Sequence, residues 1–319
     1  MMLFLCLLLG SIADAQEQQQ ERPYRLYTAQ EIHARMVQLG SDYPDFVRVT
    51  TSQEAFGLAT AGTSSDCPFD DTTTTSSTSS GCRNYYAIVQ DYTVHPEGSA
   101  SAARLPTVLL SGALHGDERV GPTTVVETLQ LLVQAAACEA TIDAACRRGD
   151  TILLQAPQRQ WLARLVTTRR IIVVPTANAL GYYRNTRTEA FQDDPNRDFP
   201  FDVTNNDQCM RTLAGRTLNE LFLDHIVQLC CTFHAGIELI GYEWGAFPYL
   251  HNGSISPDDV AQAQLATSLA RYGGQWAGTP EYRTGPSNAL LYAVHGGMED
   301  WAYAGYVLVV VGCCCCCCI

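Results

Sequence analysis

Two histidines and a glutamate that follow predicted strands are the residues best suited to chemistry. The segment Thr107–Leu110 is typical of a buried strand and leads to His115, with Glu118 three positions later. A second apolar segment, Cys230–Phe233, leads directly into His234. Ligands of open α/β sheets bind at the carboxyl ends of strands, and two His with one Glu form a known set of catalytic zinc ligands. These three residues predict a site for one zinc ion per chain. A lone strand-end histidine would more often be a partly buried imidazole without metal.

Arginine and asparagine side chains lie in the turn-rich segment between these two stretches. Arg184 and Arg187 come first, and Asn196 and Arg197 follow. Guanidinium groups bind carboxylates through paired hydrogen bonds, and an amide adds one directed bond. The segment fits a carboxylate-binding site, and it fits a surface loop of salt bridges equally well. The second interpretation arises because aspartates are adjacent, at Asp193, Asp194 and Asp198.

Alternating strand-like and helix-like segments would position these residues. Short β-branched and leucine-rich runs predict strands at 86–89, 107–110, 171–174, 230–233, 239–242 and 307–311. Helical spacing of apolar residues predicts helices at 29–39, 122–137, 211–227 and 257–272. Nearly continuous apolar strands indicate an α/β fold with a mixed, mostly parallel sheet and helices on both faces. We predict one such domain over residues 25–312, with the zinc site at the carboxyl ends of its strands.

The charge composition excludes several classes of function. All 20 basic residues are arginines, whereas Asp and Glu total 33, so the formal charge is −13. A chain without lysine cannot form a Walker-type phosphate loop, a lysine Schiff base or a Ser-Lys dyad. The acidic balance argues against nucleic acid as a partner, because phosphate binding needs clustered cations. The chain also lacks the G-x-S-x-G motif of serine hydrolases.

The N-terminal residues predict entry into the secretory pathway. Leu3–Leu9 is an uninterrupted apolar run, and Ala13-Asp14-Ala15 offers a small-x-small cleavage site. We therefore predict a signal peptide over residues 1–15, with a buried N-terminal helix as the alternative. No other apolar stretch reaches the length of a membrane span. The expected location is extracellular or in the lumen of the secretory–endolysosomal pathway.

Cysteine spacing predicts local disulfides, as expected for a secreted chain. The predicted pairs are Cys67–Cys82, Cys138–Cys146, and Cys209 with either Cys230 or Cys231. Six consecutive cysteines then occupy positions 313–318. Consecutive side chains point in different directions and cannot share one tetrahedral metal ion. We interpret residues 313–319 as a translated repeat or a wrong splice boundary.

The order of the motifs resembles that of the zinc carboxypeptidases related to carboxypeptidases A and B. The resemblance spans about Tyr27 to Tyr303. It comprises H-x-x-E, Asn-x-x-Gly-Tyr, an arginine, Asn-Arg-Asp-Phe-Pro, a strand-end histidine and Gly-Gly-Met-Glu-Asp-Trp-Ala-Tyr. By this resemblance the zinc ligands would be His115, Glu118 and His234.

The same resemblance implies roles for the groups that contact substrate. Asn196 and Arg197 would bind the terminal carboxylate of a peptide, and Tyr303 would be the mobile tyrosine that closes over it. Arg187, or alternatively Arg184, would polarise the scissile carbonyl. The implied activity is that of a secreted, monomeric, zinc-dependent exopeptidase that removes C-terminal residues from peptides or proteins.

One part of the family pattern is missing. The family's general base is a glutamate on a strand that follows the Asp-Trp-x-Tyr segment. Only 16 residues follow Tyr303, none of them Glu or Asp, and neither Glu238 nor Glu299 stands at the family's position. We expect a prematurely ended chain of an active family, and transcript sequence beyond Tyr303 would test this. The alternatives are a zinc-bearing relative that binds peptides without cleavage, and a zinc amidohydrolase of related fold that deacylates amino acids.

Overall fold

Strands and helices alternate along the chain. The computed structural model describes residues 25–70, 81–141, 156–203, 208–247, 255–273, 282–306 and 313–316. The strands are β1 (Val47–Thr51), β2 (Tyr85–Val89), β3 (Thr107–Gly112), β4 (Arg170–Val174), β5 (Val227–His234), β6 (Leu239–Tyr242), β7 (Arg283–Pro286) and β8 (Cys313–Cys316). The helices are α1 (Ala29–Asp42), α2 (Ser52–Phe56), α3 (Val120–Ala140), α4 (Ala156–Thr168), α5 (Ala179–Arg184), α6 (Leu213–Asp224), α7 (Asp259–Gly273), α8 (Ser287–Leu290) and α9 (Met298–Tyr306).

The described strands form one sheet in the order β1-β2-β4-β3-β5-β8-β6-β7. The pairs β3–β4, β3–β5, β5–β8 and β6–β7 are parallel, and the remaining pairs are antiparallel. This arrangement confirms the predicted mixed, mostly parallel α/β sheet. In the centre, Gly112 at the end of β3 pairs with Phe233 near the end of β5. The residues that follow these two strands therefore leave the sheet at the same edge.

Side chains of the central strands alternate between two apolar clusters, one on each face of the sheet. Within β4, Ile171 and Val173 belong to the cluster that also contains residues of α1, α3 and α7. Ile172 and Val174 belong to the opposite cluster, which contains residues of α6 and α9. Strands buried on both faces need apolar residues at every position. This is why the predicted strand runs lack alternating polar residues.

The predicted helices lie close to the observed ones, with one clear difference at a boundary. The helix predicted over 211–227 is α6, which ends at Asp224. His225 has extended backbone angles, with φ −133° and ψ 134°, and β5 begins at Val227. Apolar residues thus continue across the boundary because they belong to two elements. In the part of the chain that the structure describes, no helix is long and apolar enough to cross a membrane.

The disulfide predictions have mixed outcomes. Cys67 and Cys82 form a disulfide, as predicted. Cys138 is also disulfide-bonded, whereas its predicted partner Cys146 lies outside the described residues. The pairing of Cys209 with Cys230 or Cys231 was wrong, since all three carry thiols. Cys230 and Cys231 are buried on opposite faces of β5, and Cys209 lies in the partly exposed segment before α6.

Part of the cysteine run after α9 forms a strand that the sequence did not predict. The strand predicted at 307–311 lies outside the described residues. The backbone of Cys313–Cys316 forms β8, between β5 and β6, although we assigned no strand to these residues. A strand edge offers backbone N–H and C=O groups to any neighbouring chain, whatever its side chains. The sheet position beside β5 is therefore occupied by the cysteine run.

Candidate zinc and carboxylate site

The loop after β3 holds His115 close to the start of α5. The Glu118 N–H donates to the His115 carbonyl at 3.2 Å, which closes the turn between the two side chains. A side chain at Gly116 would meet the backbone of Gly181, with a Cβ only 2.0 Å from the carbonyl carbon. Glycine is required here by this close approach of the two backbones. The turn that carries His115 and Glu118 is therefore packed directly against the backbone of α5.

The nitrogen and oxygen atoms of the three predicted zinc ligands converge. Nδ1 of His115 lies 2.9 Å from Oε1 of Glu118, and Nδ1 of His234 lies 2.7 Å from Oε2 of the same carboxylate. The two Nδ1 atoms are 3.2 Å apart. All three residues offer one ligand atom within 4.8 Å of the others. Both histidines are buried, and Glu118 is partly buried.

A hydrogen bond with Asp194 orients the imidazole ring of His115. Oδ1 of Asp194 lies 3.0 Å from Nε2 of His115. A carboxylate accepts and cannot donate, so Nε2 donates to Asp194, and Nδ1, which faces Glu118 and His234, is the nitrogen that a metal would use. A histidine whose second nitrogen is bound to a carboxylate is the usual arrangement around a protein-bound zinc. The donor set and its orientation therefore fit zinc.

Hydrogen bonds and charges in this cluster oppose the effect of burial on the pKa values of His115 and Glu118. Burial alone would raise the pKa of Glu118, but His115 and His234 hold it well below its usual range. Burial would likewise lower the pKa of His115, but its bonds to Asp194 and Glu118 leave that pKa raised. Without a metal the site is thus an ion-paired group in which the carboxylate is charged. A charged carboxylate is the form that ligates zinc.

The structure distinguishes between the two arginines that the sequence left open. Arg187 lies at the cluster, with Nη2 3.0 Å from Oδ2 of Asp194 and Nη1 3.7 Å from Oε1 of Glu118. Arg184 instead donates to both carboxylate oxygens of Asp66, at 2.9 and 2.8 Å. Two bonds to a buried carboxylate commit the Arg184 guanidinium to that contact. Only Arg187 of the pair borders the candidate zinc ligands.

Asn196 and Arg197 follow Asp194 in the same turn. The Asn196 N–H donates to Oδ1 of Asp194 at 2.9 Å, and the Met298 N–H donates to Oδ1 of Asn196 at 2.9 Å. These bonds orient the amide so that its NH₂ group remains for another partner. A cavity of about 370 Å³ borders Arg197, whose Nη1 donates to the Asn196 carbonyl at 2.6 Å. Asn196 is therefore joined to His115 through Asp194, whereas none of the three candidate zinc ligands lines the cavity at Arg197.

Contacts of both its ring and its hydroxyl hold Tyr303 in place. Its side chain is buried in α9, its ring packs edge-on against Trp244, and its hydroxyl donates to Asp258 at 3.0 Å. A residue held by both its ring and its hydroxyl does not suit a swinging role. Tyr292 is 60% exposed, and its ring centre lies 6.0 Å from Cζ of Arg197. The role of Tyr303 stays a prediction, for which exposed Tyr292 beside Arg197 is an alternative.

Sequence reasoning missed three residues of this region: Asp194 as a partner of His115, Tyr292, and Asn178. The side chain of Asn178 accepts from the Gly181 N–H at 2.8 Å and donates to the Arg187 carbonyl at 3.3 Å. It thereby caps α5 and holds the backbone of the arginine. Asparagine is a common N-cap residue, so an asparagine ahead of a helical segment could have indicated the cap, whereas the contact with Arg187 depends on the fold.

The strand beside His234 carries cysteines. In the register of β5 and β8, His234 pairs with Cys316. Glu299 lies in the first turn of α9 and Glu238 lies between β5 and β6, so neither belongs to β8. The expected position of a general base beside the metal is thus not filled by either glutamate.

A family model described as zinc carboxypeptidase matches residues 32–310, which is most of the chain. The chain belongs to the zinc carboxypeptidase family. The match begins within α1 and includes the two strand-end histidines, the segment with Asn196 and Arg197, and α9. The resemblance inferred from the motifs is therefore confirmed.

Individual carboxypeptidases are similar to this chain at low identity. Zinc carboxypeptidase A 1 of Anopheles gambiae is 26% identical over 232 residues, covering 62% of this chain and 46% of that protein. Carboxypeptidase B of Astacus astacus is 25% identical over 227 residues, covering 62% of this chain and 65% of that protein. The chain thus spans less than two thirds of the length of either relative.

Solved carboxypeptidase structures share the fold. Carboxypeptidase A from Helicoverpa armigera superposes with a TM-score of 0.59 at 16% identity, over 97% of this chain and 69% of that one. Bovine thrombin-activatable fibrinolysis inhibitor, in complex with tick carboxypeptidase inhibitor, gives 0.57 at 13% identity, over 90% and 86%. At such identities the likeness establishes the α/β carboxypeptidase fold.

Proposed function

We propose that this protein is a zinc-dependent exopeptidase of the secretory pathway that acts on the free C-termini of peptides. The observation that carries this proposal is the convergence of His115, Glu118 and His234 beside Arg187, with all three ligand atoms within 4.8 Å. Zinc bound there would supply a Lewis acid that polarises a carbonyl and activates water. One ion per chain would be held by these three side chains.

The chain's own residues would select and orient the substrate. Arg197 would pair with the terminal carboxylate, and the free NH₂ group of Asn196 would donate a second hydrogen bond to it. Arg187, at the edge of the candidate zinc ligands, would donate to the scissile carbonyl oxygen as negative charge develops there. Tyr303, or alternatively exposed Tyr292, would close over the bound C-terminus and exclude water from it.

Proton transfer is the step for which this sequence offers no obvious group. Among the described residues, β8 beside His234 consists of cysteines, and neither Glu238 nor Glu299 belongs to it. A positioned general base contributes on the order of 10²–10⁴ in rate. A second candidate function is a zinc-bearing protein that binds peptide C-termini without cleaving them; tight binding of the free acid with no loss of C-terminal residues would favour it.

The proposed location and domain organisation are supported by the apolar N-terminal segment and by a disulfide. We propose a signal peptide over residues 1–15, a single carboxypeptidase-like domain over 25–312, and no catalytic role for residues 313–319. The Cys67–Cys82 disulfide supports an oxidising compartment. N-terminal sequencing of protein secreted from a eukaryotic host should begin after Ala15.

Peptide binding tests the proposed function most directly. Zinc-loaded protein should bind a peptide with a free C-terminus at least about tenfold more tightly than the same peptide with a C-terminal amide, because only the acid can pair with Arg197. Titration calorimetry measures both affinities, and mass spectrometry detects loss of single C-terminal residues. Arg197→Ala should remove the discrimination, whereas Arg211→Ala, which removes an exposed partner of Asp193, should keep it.

Two outcomes would contradict this assignment. Equal affinity for acid and amide would remove the clamp roles of Asn196 and Arg197. Turnover of N-acylated amino acids, with no binding or cleavage of peptides, would instead favour a zinc amidohydrolase.

A further inference from the structure

The turn that carries the substrate-binding residues is attached to the start of α6 by two carboxylates. Asp198 follows Arg197 directly, and its oxygens accept from the backbone N–H groups of Arg211 and Thr212 at 2.9 and 2.8 Å. Glu189 lies on the other side of the turn. Its Oε2 accepts from the Leu213 N–H at 2.6 Å, and its Oε1 accepts from the Ala214 N–H at 3.0 Å.

Capping of α6 does not by itself explain why Glu189 accepts hydrogen bonds from its first turn. The first turn of a helix has N–H groups without partners in the helix. Thr212 already provides the usual N-cap, because its hydroxyl accepts from the Gly215 N–H at 3.0 Å. At an exposed helix end, water would bind the remaining N–H groups. Here a carboxylate that is only 7% exposed takes that place, although burying a charge is costly.

The backbone between Glu189 and Arg197 connects the contact of Glu189 with α6 to the candidate site. The Glu189 N–H donates to the Asp193 carbonyl at 3.0 Å, which closes the turn just before Asp194. Asp194 binds His115 and Arg187, and the next residues toward Asp198 include Asn196 and Arg197. A shift of the Glu189 side chain would therefore displace a backbone segment that ends in the carboxylate-binding pair.

The surroundings of Glu189 act on the pKa of its carboxyl group in opposite directions. Burial raises the pKa of Glu189 to about 7, and the nearby charge of Asp198 adds to this rise. The N–H groups of Leu213 and Ala214 and the charge of Arg216 act in the opposite direction. Protonation would convert one of the two accepting oxygens into a donor. One of the two bonds to α6 would then be lost.

We propose that Glu189 is a positioning residue for substrate, which holds Asn196 and Arg197 in register with the zinc ligands by attaching their turn to the N-terminus of α6. The inference rests on the proposed function, since it assigns to that turn the binding of a C-terminal carboxylate. Glu189 itself contacts neither substrate nor metal in this scheme.

The variant that tests the proposal is Glu189→Gln, which keeps the shape but removes the charge and one acceptor. Affinity for the free-acid peptide should fall about tenfold, equivalent to about 1.4 kcal/mol. Affinity for the amidated peptide and the zinc content should not change. Glu97→Gln, at an exposed position, controls for the loss of a negative charge. Leu221→Val, at a buried position on α6, controls for a general weakening of the helix.

A pH series adds a readout that a purely structural role would not move. The affinity of the parent protein for the free acid should rise between pH 6 and pH 8, as Glu189 loses its proton near pH 7. The Gln variant should lack this rise. Stability should move the opposite way, because a pKa raised from 4.5 in the folded state favours folding at low pH. That contribution is present below about pH 4.5 and is lost as the pH rises through about 7.

Hydrogen exchange of residues 190–198, measured without peptide, separates this proposal from the proposed function. Faster exchange in Glu189→Gln than in Leu221→Val is expected. If the parent protein does not discriminate acid from amide, the proposed function fails while the exchange result still decides the attachment. Unchanged exchange, or an unchanged acid-to-amide ratio in a parent that discriminates, would reduce Glu189 to a helix cap and overturn the inference.

Discussion

Asp194 connects the two chemical halves of the site. One of its oxygens binds His115 and the Asn196 N–H, and the other binds Arg187. The candidate zinc ligands and the proposed substrate-binding residues therefore share one carboxylate. Burial would raise the pKa of Asp194, but the hydrogen bond with His115 and the charges of nearby arginines hold it well below its usual range. The side chain remains an acceptor at all working pH values.

Substitution of Asp194 should weaken zinc binding without removing a ligand. In Asp194→Asn the His115 ring loses its fixed proton position, and the loss of such outer partners typically costs 10–100-fold in metal affinity. Competition with a chromogenic chelator measures the zinc dissociation constant. Asp193→Asn is the matched control, because Asp193 pairs with Arg211 and not with a candidate ligand. Equal dissociation constants for the two variants would contradict the role of Asp194.

The two arginines of the Tyr-Arg-Asn-Thr-Arg segment should behave differently. Arg187→Ala should leave folding nearly intact and should reduce the rate of catalysis by about 10²-fold. If the enzyme is too slow to assay, the same loss should appear in the affinity for a carbonyl-containing inhibitor. Arg184→Ala should leave binding intact and lower the free energy of unfolding by about 1 kcal/mol, since the arginine is half exposed. Urea denaturation and calorimetry measure the two effects. The reverse pattern would show that the roles are exchanged.

At the level of elements, the disulfide-closed segment supports α5. Cys67, Cys82, Leu180 and Leu213 share a small apolar cluster. The Asp66–Arg184 pair joins the same segment to the last residue of α5. The helix α5, which Asn178 caps, is therefore held from outside the sheet as well as from the β4 side. Its position matters because its backbone packs against Gly116, next to His115.

Removal of the Cys67–Cys82 disulfide should cost stability and leave zinc binding intact. A cross-link over 15 residues contributes about 3 kcal/mol on the chain-entropy model. The double variant Cys67→Ser/Cys82→Ser should therefore unfold at a clearly lower denaturant concentration. Cys209→Ser, which removes a thiol that is not in a disulfide, is the control. An unchanged midpoint in the double variant would mean that the unfolded chain is not constrained by this bond.

At the level of the whole molecule, the candidate metal site joins distant parts of the chain. His115 and Glu118 follow β3, and His234 ends β5, 119 residues after His115. The two strands are parallel neighbours in the middle of the sheet. An ion bound to all three side chains would bridge the centre of the fold at one edge.

Zinc should therefore stabilise the entire domain. A ligand at 100 times its dissociation constant adds about 2.7 kcal/mol to the free energy of unfolding. Differential scanning calorimetry should show a higher melting temperature with zinc than after treatment with a chelator. The His115→Ala and His234→Ala variants should melt at the same temperature in both conditions. A zinc-dependent shift that persists in both variants would place the metal elsewhere.

Local sequence patterns determined the elements and the types of chemistry. Apolar runs and helical spacing located five of the eight described strands and four of the nine described helices, because burial on two faces or one leaves a periodic trace. The strand-end positions of His115 and His234 already implied proximity, since parallel strands end at the same edge of a sheet. The family motifs added the turn with Asn196 and Arg197. These features lie within segments of a few residues, so no knowledge of distant contacts was needed.

Only the tertiary structure decided which separate segments meet. The bond between His115 and Asp194 spans 79 residues, and the bonds from Glu189 to α6 span 24 and 25. Burial of Tyr303 and exposure of Tyr292 likewise depend on how α9 packs. No local pattern encodes such contacts, because a side chain's partner depends on the packing of the whole chain. Spacing specifies elements through short-range sterics and burial, whereas long-range pairing emerges only when those elements pack together.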